Sequence, residues 1–442
     1  GGFCTNVALA DGSSCPGGNS CAPKVCKSGA CSASLPSLFD VHVDASGGYG
    51  VLRDAIVLKD GSYLVWGDYT VVGPKTLPWL VRLDQSGKVL WSKEGNGEVY
   101  VRVEATPDGG FVTLNSQLTK WDASGAVQWQ KSTFYQSAAL TVLPDGAVLV
   151  GSSNSPSGYA CWNCGSGSVC GNNMVPTAPL LTKLDAKGNE VWVRTFVNAI
   201  PFNTGAGAWA KFVDILVNSD GTLTGLVNQF MYSCPGMAPM YTVALLRTDA
   251  TGNQTSFVPT AAKAYAVHGW LAGDGGVLAL WAMSTFVLGR FDATTAQLSW
   301  QITLGPQSNN PDLALLPDKS ALLTLLADSK PTVMRISTVD GSVKMMASTK
   351  PSVNAAYQGV VATGSGALVV GQDGGGWVRR IDGWGNASCT DSGACFDKAG
   401  SDCDDAVACT WDVCKAGTCL HDAAIAGSVC APDKTCQANL CK

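Results

Sequence analysis

Three observations predict the fold. An Asp-Gly turn and a second turn that closes on an aromatic residue recur together along residues 51–388, the runs between them are short and apolar, and cysteines crowd both ends. Together they predict an all-β chain, a seven-bladed β-propeller of four-stranded blades with N- and C-terminal disulfide-rich modules. The expected division is a Cys-rich module at 1–35, a propeller at 36–388 and a Cys-rich repeat module at 389–442.

Each unit opens with an apolar strand and a turn such as Lys59-Asp60-Gly61, where Asp bonds its own backbone and Gly supplies a positive φ. The same turn returns at Pro107-Asp108-Gly109, Pro144-Asp145-Gly146, Ser219-Asp220-Gly221, Gly273-Asp274-Gly275, Pro317-Asp318-Lys319 and Gly364-Ser365-Gly366. A second strand (Tyr63–Trp66 in the first copy) and a variable loop follow. A third strand then ends in Asp84, and a turn at Ser86-Gly87 leads to a strand closed by Trp91. Later copies read Asp122…Trp129, Asp185…Trp192, Asp249…Phe257 and Asp292…Trp300, then weaken at Ser337…Met345 and Asp382. The seventh copy lacks its last strand, while Leu38–Val43 is left over before the first. Pairing the two closes the ring and removes exposed strand edges.

Composition narrows the setting. The 442 residues carry 14% charged side chains and a net charge of −5, which argues against a nucleic-acid partner. Eighteen cysteines and three histidines, none of the latter beside a cysteine pair at zinc spacing, predict disulfides in an oxidising compartment: secreted, extracellular, at a cell surface. The apolar run 276–291 contains Ser284-Thr285 and reads as two buried strands, so no membrane span is expected.

The Leu83-Asp84…Gly87…Trp91 and Leu184-Asp185…Gly188…Trp192 pattern resembles the quinoprotein-type propeller repeat of secreted bacterial proteins. Enzymes of that family bind pyrroloquinoline quinone and calcium through dedicated polar residues and, often, a vicinal disulfide. This chain has no adjacent Cys-Cys pair, so the cofactor is not carried over and none is expected. The terminal segments resemble cysteine-rich repeats of large secreted bacterial surface proteins, through Cys403-Asp404-Asp405…Cys409-Thr410-Trp411-Asp412-Val413-Cys414.

The cysteine spacing carries a further expectation. Cys403, Cys409, Cys414 and Cys419 are followed by Cys430, Cys436 and Cys441, and the N-terminal Cys4 by Cys15, Cys21, Cys26 and Cys31. Placing Gly1 after Lys442 continues a constant 27-residue period across the junction. With Cys389 and Cys395, the C-terminal group has nine cysteines and the N-terminal group five. Both are odd, so full pairing predicts at least one bond from Cys4 to Cys430, Cys436 or Cys441. A tandem polyprotein, a filament of subunits joined head to tail, and a single chain whose termini meet all satisfy this. The favoured partner is a copy of the same chain, and the 27-residue repeats are too small to hold a core without disulfides.

Candidate sites are few. Asp402, Asp404, Asp405 and Asp412 are a weak calcium candidate, against turn capping. Cys161, Cys164, Cys170 and Cys234 are read as two disulfides rather than a zinc site, because both loops join the second and third strands of neighbouring blades. The frame tryptophans are expected to pack between blades. Aromatics outside the frame, Tyr159, Trp162, Tyr232 and Tyr241, with Trp209 and Trp270, are the ligand candidates, and the loop at 152–179 is long enough to be functional. No nucleophile elbow, metalloprotease or phosphate-loop motif is present, and His42 and His268 lack a visible partner, so no catalytic residue is assigned. The expected function is an extracellular structural or adhesive unit. A glycan- or protein-binding propeller is the alternative, and a secreted propeller enzyme, quinoprotein-like or hydrolytic, the second.

Overall fold

A computed structural model describes residues 39–45, 49–70, 76–95, 97–132, 139–153, 177–197, 208–231, 240–272, 274–282, 285–306, 311–316, 318–327, 330–348, 355–363 and 366–382. It also describes short strands at 24–27, 30–33, 159–163, 168–172, 410–415, 418–423, 429–431, 434–437 and 440–441. The chain is an all-β, seven-bladed propeller with seven four-stranded antiparallel sheets among the described residues.

Blade 1 is Tyr49–Val57, Tyr63–Thr70, Thr76–Leu83 and Val89–Glu94. Blade 2 is Arg102–Ala105, Phe111–Leu114, Gln117–Trp121 and Val127–Ser132. Blade 3 is Ala139–Val142, Val148–Ser153, Pro179–Leu184 and Glu190–Thr195. Blade 4 is Ala208–Val217, Leu223–Met231, Met240–Thr248 and Gln254–Pro259. Blade 5 is Tyr265–Leu271, Val277–Ala282, Thr285–Phe291 and Leu298–Pro306, so the apolar run is two strands as expected. Blade 6 is Asp312–Leu315, Ser320–Ala327, Lys330–Ser337 and Val343–Ser348. Blade 7 is Ala356–Thr363, Gly366–Gln372 and Gly376–Asp382, with Phe39–Val43 as its fourth strand.

The first turn is a three-residue loop. Gly109 N–H donates to Thr106 O at 3.0 Å and Thr106 N–H to Gly110 O at 2.9 Å, with Asp108 Oδ1 accepting from Gly110 N–H at 3.1 Å. Only Gly109 takes a positive φ, 92°, which is a type I turn closed by a glycine bulge. In blade 6 the bulge residue is Lys319, at φ 63°, held because its carbonyl accepts from Thr338 N–H and Oγ1. A feature not read from sequence ties these turns down: a basic residue of the third strand pairs with the turn carboxylate, as Lys120 with Asp108, Arg290 with Asp274 and Arg335 with Asp318.

The frame tryptophan sits opposite a basic residue of the third strand, Trp129 opposite Lys120 and Trp192 opposite Lys183. It packs on the second-turn glycine of the next blade. A Cβ on Gly188 would lie 2.9 Å from the Trp129 ring, and one on Gly252 2.6 Å from Trp192. Trp129 Nε1–H also donates to Ala186 O at 3.1 Å. These rings are therefore packing residues. Phe39 of the closing strand lies opposite Arg380 and against Gly87, taking the place the tryptophan holds in other blades.

Contacts group the chain into two compact units. The unit with blades 1, 6 and 7 has a core of Phe39, Leu52, Tyr63, Val81, Leu368 and Val378, and a second of Leu322, Val333, Val360, Val369 and Ile381. Asp312 carboxylate oxygens accept from Leu313 N–H at 2.8 Å and Val360 N–H at 2.9 Å, joining the first strands of blades 6 and 7. The unit with blades 2 to 5 buries Val112, Leu140 and Val150, then Phe212 edge-on to Phe196 at 5.9 Å, then Leu226, Leu245, Trp281 and Phe291. Asn228 exchanges two hydrogen bonds with the Ala266 backbone, at 2.7 and 2.8 Å, joining blades 4 and 5.

In the flanking segments the described strands form hairpins that place Cys26 opposite Cys31, Cys414 opposite Cys419 and Cys436 opposite Cys441. The loop within blade 3 forms a hairpin with Cys161 opposite Cys170. Cys4, Cys15, Cys21, Cys164, Cys234, Cys389, Cys395, Cys403 and Cys409 lie outside the described residues, as do Asp402, Asp404, Asp405 and Tyr232. Among the described residues no helix is long and apolar enough to cross a membrane.

Candidate functional sites in the blade 2 to 5 unit

The first strand of each blade borders the central channel of a propeller. Aligning these strands on the first-turn Asp makes one position comparable across blades, six residues earlier: Asp54, Arg102, Ala139, Asp214, His268, Asp312 and Gly359. In blades 4 and 5 a bulge precedes it, between Phe212 and Asp214 and between Ala266 and His268. Bulges re-aim the side chain that follows. Two of the aspartates are staples between blades: Asp312 as described, and Asp214, whose Oδ2 accepts from Gly269 N–H of blade 5 at 2.8 Å.

The other members of this frame position in the unit converge. Blade 3 contributes only Ala139 there. The Arg102 guanidinium of blade 2 lies 3.5 Å from Asp214 of blade 4 and 3.3 Å from His268 Nδ1 of blade 5, with Asp214 Oδ2 3.8 Å from the same ring nitrogen. Side chains in this group keep 15–26% of their surface open. Burial, and then the Arg102 charge, hold His268 well below the ordinary histidine range. The ring is thus neutral. Nδ1 accepts from Arg102, which leaves Nε2 as the N–H donor. Burial pushes Asp214 up despite Arg102 and the Gly269 N–H.

Two residues along blade 2, burial raises Glu104 to about 7; Asp214 adds to the rise and Arg102 opposes it. Burial alone raises the Tyr100 phenol to about 12. Trp270 stacks on His268 with ring centroids 5.6 Å apart. A carboxyl group near its midpoint at neutral pH, a cation and a neutral imidazole can bind an anion and exchange a proton with it.

A second site lies along the same strands. Trp209 stacks on Phe230 at 5.1 Å, Phe230 meets Tyr241 at 4.8 Å, and Tyr241 meets Tyr265 edge-on at 6.1 Å. Lys211 Nζ lies 5.7 Å from both the Trp209 and Tyr265 rings. Phe230 is buried, whereas Trp209, Tyr241 and Tyr265 are half-buried and form a shelf. Ala210 N–H donates to Thr177 O at 2.9 Å, which pins the end of the long blade 3 insertion to the shelf.

Of the residues singled out from sequence, Tyr241 and Trp209 meet in the shelf and Trp270 packs on His268. Tyr159 and Trp162 belong to the strand Tyr159–Asn163, and Asp412 to a strand where it lies opposite His421. Among the described residues no group of three or more His, Cys, Asp or Glu is placed to hold a metal ion. The expectation that His268 lacks a partner is corrected: Arg102 and Asp214 are beside it, brought there by residues 166 and 54 positions away in the chain, which no local motif reveals. The signal that finds them is the shared frame position, where five of seven blades carry a polar side chain.

No family model matches the chain, and no curated protein matches it. Solved structures share the architecture. BamB from Moraxella catarrhalis is 14% identical over 82% of this chain and 94% of its own, with a TM-score of 0.43. A catalytically inactive virginiamycin B lyase from Staphylococcus aureus, solved with quinupristin, is 10% identical over 78% of this chain and 99% of its own, at 0.47. Raptor from Chaetomium thermophilum is 9% identical over 77% of this chain and 28% of its own, at 0.49. These similarities concern the fold alone.

Proposed function

We propose that this chain is an extracellular scaffold and adhesive unit whose propeller binds a glycan. The observation that carries the reading is the shelf of Trp209, Tyr241 and Tyr265 with Lys211. These rings stand outside the frame that packs the blades, and they remain half-buried. Aromatic faces bind the apolar faces of sugars, and a cluster of solvent-facing rings is otherwise costly to keep. A glycan array probed with the wild-type chain and with Trp209→Ala and Tyr241→Ala tests it. Binding by the wild type and its loss in both variants is expected; a wild-type chain that binds no glycan overturns the reading.

Assembly into a head-to-tail string of copies is the second part of the proposal. What supports it is that the Cys-x4-Cys spacing of both flanking segments forms the same hairpin, with the two cysteines directly opposite. Such modules are connectors that disulfides hold in shape, and heterologous contacts that do not close generate filaments. Gels of native material run with and without reductant test this. A ladder that collapses on reduction is expected, and a monomer of unchanged mobility contradicts it.

A further inference from the structure

The channel-facing cluster of blades 2, 4 and 5 is not part of the shelf, yet it is continuous with it. Tyr265 and His268 are three residues apart on one strand, as are Lys211 and Asp214 on the neighbouring one, a span of ~10 Å in each case. A ligand lying across the shelf therefore extends toward the channel.

The cluster has a donor surplus aimed at no protein acceptor of good geometry. The contacts of Arg102 are long: 3.3 Å to His268, 3.5 Å to Asp214 and 3.4 Å to the Val101 carbonyl. A guanidinium fork in a low-dielectric site binds a planar carboxylate with two parallel bonds, far better than this. His268 offers its Nε2–H. Trp270 is half-buried and stacks on His268, the ring that Arg102 contacts. The charge balance selects the anion. Arg102 faces Asp214 and Glu104, so a dianionic phosphate meets two carboxyl groups, whereas a carboxylate brings half that charge and accepts a hydrogen bond from Glu104 once it is protonated.

We infer that Arg102, Glu104, His268 and Trp270 bind the carboxylate-bearing ring of a hexuronate within an acidic glycan. This rests on the glycan-binding reading and names the class of sugar. Arg102 holds the carboxylate, Glu104 shares a proton with it, and Trp270 lies along the ring.

Titration calorimetry with three probes tests it: a hexuronate tetrasaccharide, the same oligosaccharide with its carboxyl groups reduced to alcohols, and sodium acetate. The uronate is expected to bind at least about tenfold more tightly than the reduced sugar, and acetate weakly. Arg102→Lys, checked for an unchanged circular-dichroism spectrum, is expected to weaken uronate binding about tenfold and to leave the reduced sugar unaffected. Uptake of a proton by Glu104 makes wild-type uronate binding strengthen from pH 8 to pH 6; the charged and titratable groups beside it are Arg102, Asp214, which burial raises, and His268, which stays neutral. Glu104→Gln removes that dependence. Equal binding of uronate and reduced sugar, with both lost in Trp209→Ala, leaves the shelf reading standing and overturns this one. An unchanged pH dependence in Glu104→Gln also overturns it. If no saccharide binds, the glycan-binding reading falls and takes this inference with it.

Discussion

Replacing Glu104 by glutamine is predicted to stabilise the propeller at neutral and alkaline pH and to leave it unchanged in acid. The carboxyl rises from 4.5 to about 7 on folding, chiefly through burial. A group whose folded pKa lies above its unfolded one binds more protons in the folded state between the two values. Stability then falls as pH rises through that window, from about 4.5 to about 7, and the deficit persists above it. At ~1.4 kcal/mol per tenfold, the rise corresponds to ~3 kcal/mol for a fully dehydrated carboxyl. Glu104 is only half-buried, so solvent screening reduces this to ~1–2 kcal/mol. Glutamine keeps the shape and carries no charge. The assay is urea unfolding of both proteins at pH 4.5, 6 and 8, comparing midpoints at equal slope. The two curves should coincide at pH 4.5 and separate progressively to pH 8, with the variant more stable. Parallel curves, or a variant less stable at pH 8, refute the placement of Glu104 in a dehydrated channel beside Asp214.

Three further predictions concern the frame. Gly188→Ala forces a side chain onto a backbone at φ 82° and into the Trp129 ring, and is expected to cost ~2–3 kcal/mol in urea unfolding. Phe39→Ala removes the ring that stands in for the missing tryptophan and is expected to cost ~3 kcal/mol, with proteolysis beginning at the closing strand. Lys120→Met deprives Asp108 of the buried cation that helps hold its carboxyl down to about 2. Because a lowered carboxylate contributes stability above its unfolded pKa, the variant's deficit at pH 7 should shrink as pH falls from 4 toward 2.

Much of the fold is legible because each blade repeats it. The first-turn Asp and Gly, the second-turn Gly and the closing aromatic each have one physical job, so their spacing alone gives seven meanders and a leftover strand. The basic residue that clamps the turn is harder to see: Lys120, Arg290 and Arg335 look like ordinary exposed charges until strand pairing puts them over Asp108, Asp274 and Asp318. Shelf residues were half legible. Tyr241 and Trp209 stand out by lying off the frame; Lys211 is two residues from Trp209 on the same strand, while Tyr265 joins them only through packing of blade 5 on blade 4. The channel cluster was hidden for a different reason. Arg102, Asp214 and His268 share a position but not a residue type, and each blade contributes a single member, so composition and motif spacing are silent until the blades are superimposed.

Trp192 packs one blade on the next, whereas Trp209 is proposed to face a ligand. Affinity for the best glycan from the array, measured beside the melting temperature, tests this contrast in one pair of variants. Trp209→Ala is predicted to reduce affinity about thirtyfold or more, consistent with loss of a stacking ring, while melting within a few degrees of wild type. Trp192→Ala, which empties the space against Gly252, is predicted to lower the melting temperature and keep the affinity. The reverse pattern, or equal affinity in all three proteins, contradicts the central claim.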